Sequence, residues 1–169
     1  MTELPTPRLA VPADRDSLFR MCCELWEENG LFPISETKVR RMIDIATDNS
    51  IKTEQEPIAM IWCIGDVGKI EASLCLIITQ NWYSDAWHVE ELWNFVHPDH
   101  RRSNYAKALI DYSKKVQSEI GLPLMIGILS NDRTQEKVRL YSRRLGQPAG
   151  AYFVYPSWNA LRDEKKSAA

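Results

Sequence analysis

The chain has 169 residues, 44% of them apolar and 26% charged, which is the composition of an ordinary globular protein with enough interior to fold as one domain without staples. Its 21 Lys/Arg and 23 Asp/Glu leave a net charge of −2, which argues against general nucleic-acid binding. The longest apolar runs, such as LCLII, are far too short to span a bilayer, and no basic segment followed by an apolar run opens the chain, so no membrane partner and a cytoplasmic location are expected.

The charges are unevenly spread. Residues 1–96 carry 8 Lys/Arg against 16 Asp/Glu, whereas residues 97–146 carry 10 against 5. An acidic first half and a basic later segment suggest two ligands of opposite sign. The four cysteines, Cys22, Cys23, Cys63 and Cys75, include no Cys-x-x-Cys pair and read as reduced thiols. Of the three histidines only His97 and His100 are close in sequence, with no cysteine near them, so no metal site is expected.

In chain order, Pro7 to Ala10 reads as a short strand, and Pro12 stands where a first helical turn tolerates proline. Leu18, Cys22, Leu25 and Trp26 then share a helical face that Gly30 ends. Ser35 caps a second helix whose apolar stripe is Val39, Met42, Ile43 and Ala46. From Ile58 the spacing changes. IAMIWCIG, KIEASLCLIIT and AWHVEELWNFV predict a three-stranded antiparallel meander over 58–96, with a tight turn at DVGK (66–69) and a looser one at 80–86.

A helix follows from about Asn104 to Ile120, closed by Gly121, with a core face of Ala106, Leu109, Ile110, Val116 and Ile120. LPLMIGIL (122–129) predicts a buried strand. The next helix is capped near Asn131 or Asp132 and ended by Gly146, and GAYFVYP (150–156) predicts a final strand. The order is β-α-α-β-β-β-α-β-α-β, an α/β chain with one mixed sheet and helices on both faces. Its fourth and fifth strands flank a crossover helix and should be parallel neighbours. One domain is expected over 1–156, with a tail at 157–169.

The stretch VHPDHRRSNYA at the strand-to-helix turn, within that element order, resembles the GNAT family of acetyl-CoA-dependent N-acetyltransferases over residues 7–155. The family pattern, Arg/Gln-x-x-Gly-x-Gly/Ala after Val-x-Pro, reads here as Arg101, Arg102, Ser103, Asn104, Tyr105 and Ala106 after Val96, His97 and Pro98. Such a loop must present backbone N–H groups to a pyrophosphate at a helix N-terminus. Glycine serves there because it takes positive φ, and Asn104, standing at the family's central glycine, is the residue type most tolerant of that conformation after glycine. Arg102 replaces another frequent glycine and either points outward or reaches a coenzyme phosphate.

The resemblance implies more. The main chain of Phe95 and Val96 would pair with the pantetheine arm, and Asn131 would contact that arm or simply cap its helix. Tyr141 would act as general acid toward the departing thiolate, or stand as a core or substrate-wall aromatic. The family's Leu-Tyr-x-x-x-Gly is one residue longer here, Leu140-Tyr141-Ser142-Arg143-Arg144-Leu145-Gly146. Glu90, six residues before Val96, would stand where some members of the family carry a general-base glutamate, or is an exposed glutamate on the sheet surface, and alternation would send Glu91 to the other face, where it could bind substrate charge. Trp82, Tyr83 and Trp87 would either wall an acceptor pocket or pack in the core or an interface.

The function implied is acetyl transfer from acetyl-CoA to a primary amine of a small-molecule, peptide or protein acceptor in a ternary complex, with a cationic acceptor drawn to the acidic half. A homodimer is compatible with this. The alternatives are a catalytically inactive coenzyme-binding module and a protein-interaction module on the same scaffold.

Overall fold

The computed structural model describes residues 4–30, 32–130 and 133–155. They form β1 (Arg8–Leu9), α1 (Arg15–Asn29), α2 (Glu36–Thr47), β2 (Ile58–Asp66), β3 (Lys69–Gln80), β4 (Trp87–Val96), α3 (Tyr105–Ile120), β5 (Leu124–Ile126) and α4 (Thr134–Leu145). The chain separates into two compact units. The first is Met1–Cys22 with Ser35–Gly127, and the second is Cys23–Ile34 with Ile128–Ala169.

The first unit is built on a five-stranded sheet in the order β1-β2-β3-β4-β5. All neighbours are antiparallel except β4 and β5, which are parallel, as the crossover through α3 requires. The meander expected over 58–96 forms as read. Each of its strands is rich in β-branched and aromatic residues, and Gly68, at φ 77°, supplies the left-handed residue of the β2–β3 turn.

Alternation sorts the strands' side chains between two cores. On one face Trp62, Ile64, Ala72, Leu74, Leu76 and Val89 pack against Ala108, Leu109 and Val116 of α3. On the other, Ala59 and Ile77 pack against Ile45, Met42 and Ala46 of α2, joined by Leu92. The α2 helix starts as expected, with the Ser35 hydroxyl accepting the Lys38 N–H at 3.5 Å. A buried chain adds the first half of α1 to this face. The Trp93 indole N–H donates to Ser73 Oγ at 3.0 Å, and that hydroxyl donates to the Met21 sulfur at 3.1 Å. Leu74 and Leu109 are fully buried, each worth about 2 kcal/mol of removed apolar surface.

The start of the chain is fastened by one carboxylate. Asp14, in the turn before α1, has a side chain with no solvent exposure. It accepts from both Arg8 Nη atoms (2.7 and 3.0 Å), from the Val11 N–H (2.9 Å) and from the Gly68 N–H (2.8 Å). It thus ties β1, α1 and the β2–β3 turn together. The four cysteines are free; Cys22, Cys63 and Cys75 are buried, and burial pushes the Cys63 thiol up to about 12.

Two expectations are corrected. The strand read over 122–129 is only Leu124–Ile126, and it is partly exposed rather than buried. It is the sheet's last strand among the described residues, so its outer side has no sheet neighbour. The final strand expected over 150–156 does not form within the described residues to 155. Its residues find no strand to bond with, and Tyr152, Phe153 and Tyr155 lie exposed, Phe153 at 95%. A strand is defined by its pairing, and propensity alone does not supply a partner.

In the second unit the Asn29 side-chain carbonyl accepts from the Ser130 hydroxyl (2.9 Å) and the Lys137 ammonium (3.3 Å), joining the end of α1 to α4. Gly146, at φ 98°, ends α4. Among the described residues no helix is long and apolar enough to cross a membrane.

The Asp14 anchor yields a pH and a mutational expectation. Burial alone would raise its carboxyl; the Arg8 hydrogen bonds and the Gly68 and Val11 N–H groups outweigh that and leave it below its ordinary 3.8. A lowered folded value means the stabilisation is complete above about pH 3.8 and is lost as pH falls from there toward the folded value. Asp14→Asn should lower urea-unfolding stability at pH 7 by about 3 kcal/mol, because it leaves Arg8 without its counter-charge. The deficit should shrink in the acid limb.

Candidate functional site

The stretch linking β4 to α3 folds under local instructions. The His97 N–H donates to the Glu71 carbonyl at 2.9 Å, the last bond on the sheet. Pro98 then opens a single 3-10 turn, Pro98–His100, a position where its missing N–H costs nothing. The Arg101 N–H returns to the Pro98 carbonyl (3.3 Å), and the Ser103 N–H to that of His100 (2.9 Å). Ser103 Oγ accepts the Tyr105 N–H at 3.1 Å, and the Ala108 N–H closes the first helical turn on the Asn104 carbonyl at 3.0 Å.

What remains is a set of donors. The N–H groups of Arg102, Asn104, Ala106 and Lys107 have no hydrogen-bond partner among the described residues. They lie at the positive end of the α3 macrodipole. Arg101, Arg102 and Ser103 are exposed around them. The Arg101 Nε donates to the Val96 carbonyl at 3.4 Å, and its guanidinium carbon lies 5.6 Å from the centre of the Phe95 ring. Donors of this kind suit a polyphosphate.

One premise about this loop is corrected. Asn104 has φ −92° and ψ 14°, and among the described residues none other than glycine takes positive φ. The proline-led turn and the Ser103 cap bend the chain without a left-handed residue. Asn104 instead accepts the Lys107 ammonium on its side-chain oxygen at 3.0 Å.

Beside the loop, β4 changes partners. It pairs with β3 along its whole length, Trp87 to Val96, but with β5 only at Val89–Leu124, Glu90–Met125 and Glu91–Ile126. Phe95 and Val96 lie beyond the last of these pairs, on a β4 edge with no strand beside it among the described residues. An extended amide-bearing chain can add to such an edge. At the same point β4 bulges: Cys75 faces Trp93 and Leu76 faces Glu91, so Leu92 is the extra residue.

The two glutamates separate as alternation requires. Glu90 lies opposite Ile77, on the α2 face, while Glu91 lies opposite Leu76, on the α3 face, and is 9% exposed. The Glu90 side chain is open to solvent, and one oxygen is 3.9 Å from Nε2 of the buried His88. Trp82, Tyr83 and Trp87 at the β3–β4 turn are exposed, Trp82 at 95%, whereas Trp62 and Trp93 are core residues. Trp82 and Tyr83 meet edge to face at 5.5 Å.

In the second unit, Tyr141 lies half-buried on α4. The helix runs unbroken through Leu145, so the extra residue before Gly146 is taken up as helix. Asn131 lies outside the described residues. Among the described residues no three metal-ligating side chains group together.

Two residues beside the loop escape a sequence reading. Glu71, at the start of β3, accepts the Tyr105 phenol on Oε2 at 2.7 Å, and His100 Nδ1 is 3.5 Å from the same oxygen. The His100 and Tyr105 rings stack at 5.8 Å. Only the sheet register brings Glu71 here, and no local motif signals it.

No family model matches the chain, and no curated protein does. Solved structures do. The chain is similar to a ribosomal-protein-alanine N-acetyltransferase from Brucella melitensis biovar Abortus, at 15% identity over 89% of this chain and 97% of that one, TM-score 0.62. It is similar to a possible acetyltransferase from Clostridium difficile, at 13% identity over 92% and 99%, TM-score 0.65. It is also similar to an aminoglycoside acetyltransferase from an uncultured soil metagenomic sample, in complex with sisomicin, at 13% identity over 90% and 95%, TM-score 0.60. At these identities the likeness is one of fold.

The Tyr105 phenol offers a direct check on the loop geometry. Its hydrogen bond to Glu71, with burial and the Glu71 charge adding in the same direction, holds it above its ordinary 10. The neutral phenol and its bond therefore persist up to pH 10 and are lost as pH rises through the folded value. In a phenolate absorbance titration, Tyr105→Phe should remove a late-ionising step, and Glu71→Gln should move that step to lower pH.

Proposed function

We propose that this chain, which has the fold of the GNAT acetyltransferases, transfers an acetyl group from acetyl-CoA to a primary amine by direct transfer in a ternary complex. The observation that carries this is the set of unbonded N–H groups at the start of α3, framed by Arg101 and Arg102, at the open end of β4.

In this reading the main chain from Arg102 to Ala106, with Ser103, Asn104 and Tyr105 between, receives the coenzyme's diphosphate. The Arg101 guanidinium, or that of Arg102, adds a charge-assisted contact. The Phe95 and Val96 main chain receives the pantetheine amides, with Asn131 as a further contact. The coenzyme supplies the activated acyl group.

The chain's own residues supply proton handling. An ammonium cannot attack a thioester until it loses a proton. Glu90 takes that proton, directly or through water. The nitrogen lone pair then forms the bond to the acetyl carbon, the carbon–sulfur bond breaks, the thiolate takes a proton from Tyr141, and the extra proton on the acylated nitrogen leaves through water to restore the phenol. The acidic 1–96 segment favours a cationic acceptor. The names of two neighbours, one acting on a ribosomal-protein alanine and one on aminoglycosides, both denote amine acceptors and support an amine here.

Calorimetric titration tests the coenzyme half. Acetyl-CoA should bind with micromolar affinity, about −8 kcal/mol. The double variant Arg101→Ala, Asn104→Asp, which sets a negative charge against the diphosphate, should lose that heat. A folded wild-type protein with no affinity would overturn the enzyme reading. On an amine found by screening, Glu90→Gln should lower kcat about 100-fold at neutral pH while the acetyl-CoA Kd holds.

A further inference from the structure

We propose that Glu71 is the positioning residue of the loop at 98–104, fastening it from the neighbouring strand so that its donors stay aligned; the inference rests on the reading of that loop as the coenzyme site. Glu71 touches the loop three times. Its main-chain carbonyl accepts the His97 N–H at 2.9 Å. Its Oε2 accepts the Tyr105 hydroxyl at 2.7 Å and lies 3.5 Å from His100 Nδ1. His97, His100 and Tyr105 are the entrance, middle and exit of the loop.

The rings complete the brace. His100 stacks on Tyr105 with 18° between their planes, and the His97 ring meets that of His100 at 6.1 Å. None of these contacts uses the N–H groups of Arg102, Asn104, Ala106 or Lys107, so the fastening leaves the donors open. A carboxylate has no donor to offer a phosphate and carries the same charge, so Glu71 is no ligand. Its chemistry suits an acceptor for the loop's own side chains. Within the loop itself, Ser103 caps only the Tyr105 N–H, and without an outside hold the free donors would have to be ordered when the ligand arrives, at a cost in affinity.

The test compares wild-type protein with Glu71→Ala, Glu71→Gln and Tyr105→Phe by two readouts. One is amide exchange of Ser103 and Ala108 without ligand. The other is the calorimetric Kd for coenzyme A. Glu71→Ala and Tyr105→Phe should each speed exchange at those two amides and weaken coenzyme A binding by about tenfold. Glu71→Gln keeps an acceptor for the phenol and should recover most of both. The double variant Glu71→Ala, Tyr105→Phe should bind no worse than Glu71→Ala alone, because both remove the same contact.

A residue that merely stabilised the fold would change exchange throughout α3 and show no recovery with Gln. Unchanged Ser103 and Ala108 exchange in Tyr105→Phe, which deletes one oxygen and retains the ring, would overturn the inference. So would faster exchange with an unchanged Kd. A wild-type chain that does not bind coenzyme A would overturn the reading of the loop, and the inference with it. That failure is separable, since it is seen before any variant is made.

Discussion

The partner change of β4 governs most of what matters in the first unit. Its ten residues bond to β3 without interruption apart from one bulge, while only three of them bond to β5. A parallel neighbour has to be reached through a crossover, so α3 must begin just past the end of β4. The β5 pairing stops at Glu91, five residues before β4 ends. These facts place a strand edge that is unpaired among the described residues directly beside a helix N-terminus. Each is a site of unsatisfied backbone polarity, one presenting amides along a line and the other N–H groups at a point. An extended chain that ends in a diphosphate satisfies both.

The bulge at Leu92 belongs to the same arrangement. It lets Glu90 share a face with Ile77 and α2 while Glu91 turns into the α3 side, and it still leaves Trp93 on the α2 side to reach Ser73. A strand without it would exchange the faces of everything after Leu92. The open Glu90 carboxylate and the loop that follows Val96 are therefore joined through one strand, and their separation is set by strand geometry rather than by a flexible connection.

Much of this was legible in the residues, for identifiable reasons. The meander, α2 with its Ser35 cap, and α3 closed by Gly121 are written in local patterns, so they formed where the sequence places them. The Arg101–Ala106 loop was legible because a proline turn, small polar residues and an apolar helix face follow one another within a few positions. What failed was nonlocal. The segment at 150–156 has strand propensity but finds no pairing partner among the described residues, and β5 is short because pairing ends at Glu91. One local premise also failed: Asn104 takes negative φ because Pro98 and Ser103 already turn the chain. Asp14 with Arg8, and Glu71 with Tyr105 and His100, meet only once the sheet is assembled, and the sequence offers no spacing that announces them.

The claim on which everything functional depends is that the free N–H groups at the start of α3 receive a diphosphate while the end of β4 receives the arm attached to it. An amide NMR titration of the wild-type chain with coenzyme A tests it residue by residue. The account predicts that the Arg102, Asn104, Ala106 and Lys107 amides shift together with those of Phe95 and Val96, at one common affinity. Saturable binding that leaves those amides unmoved and shifts others would contradict it.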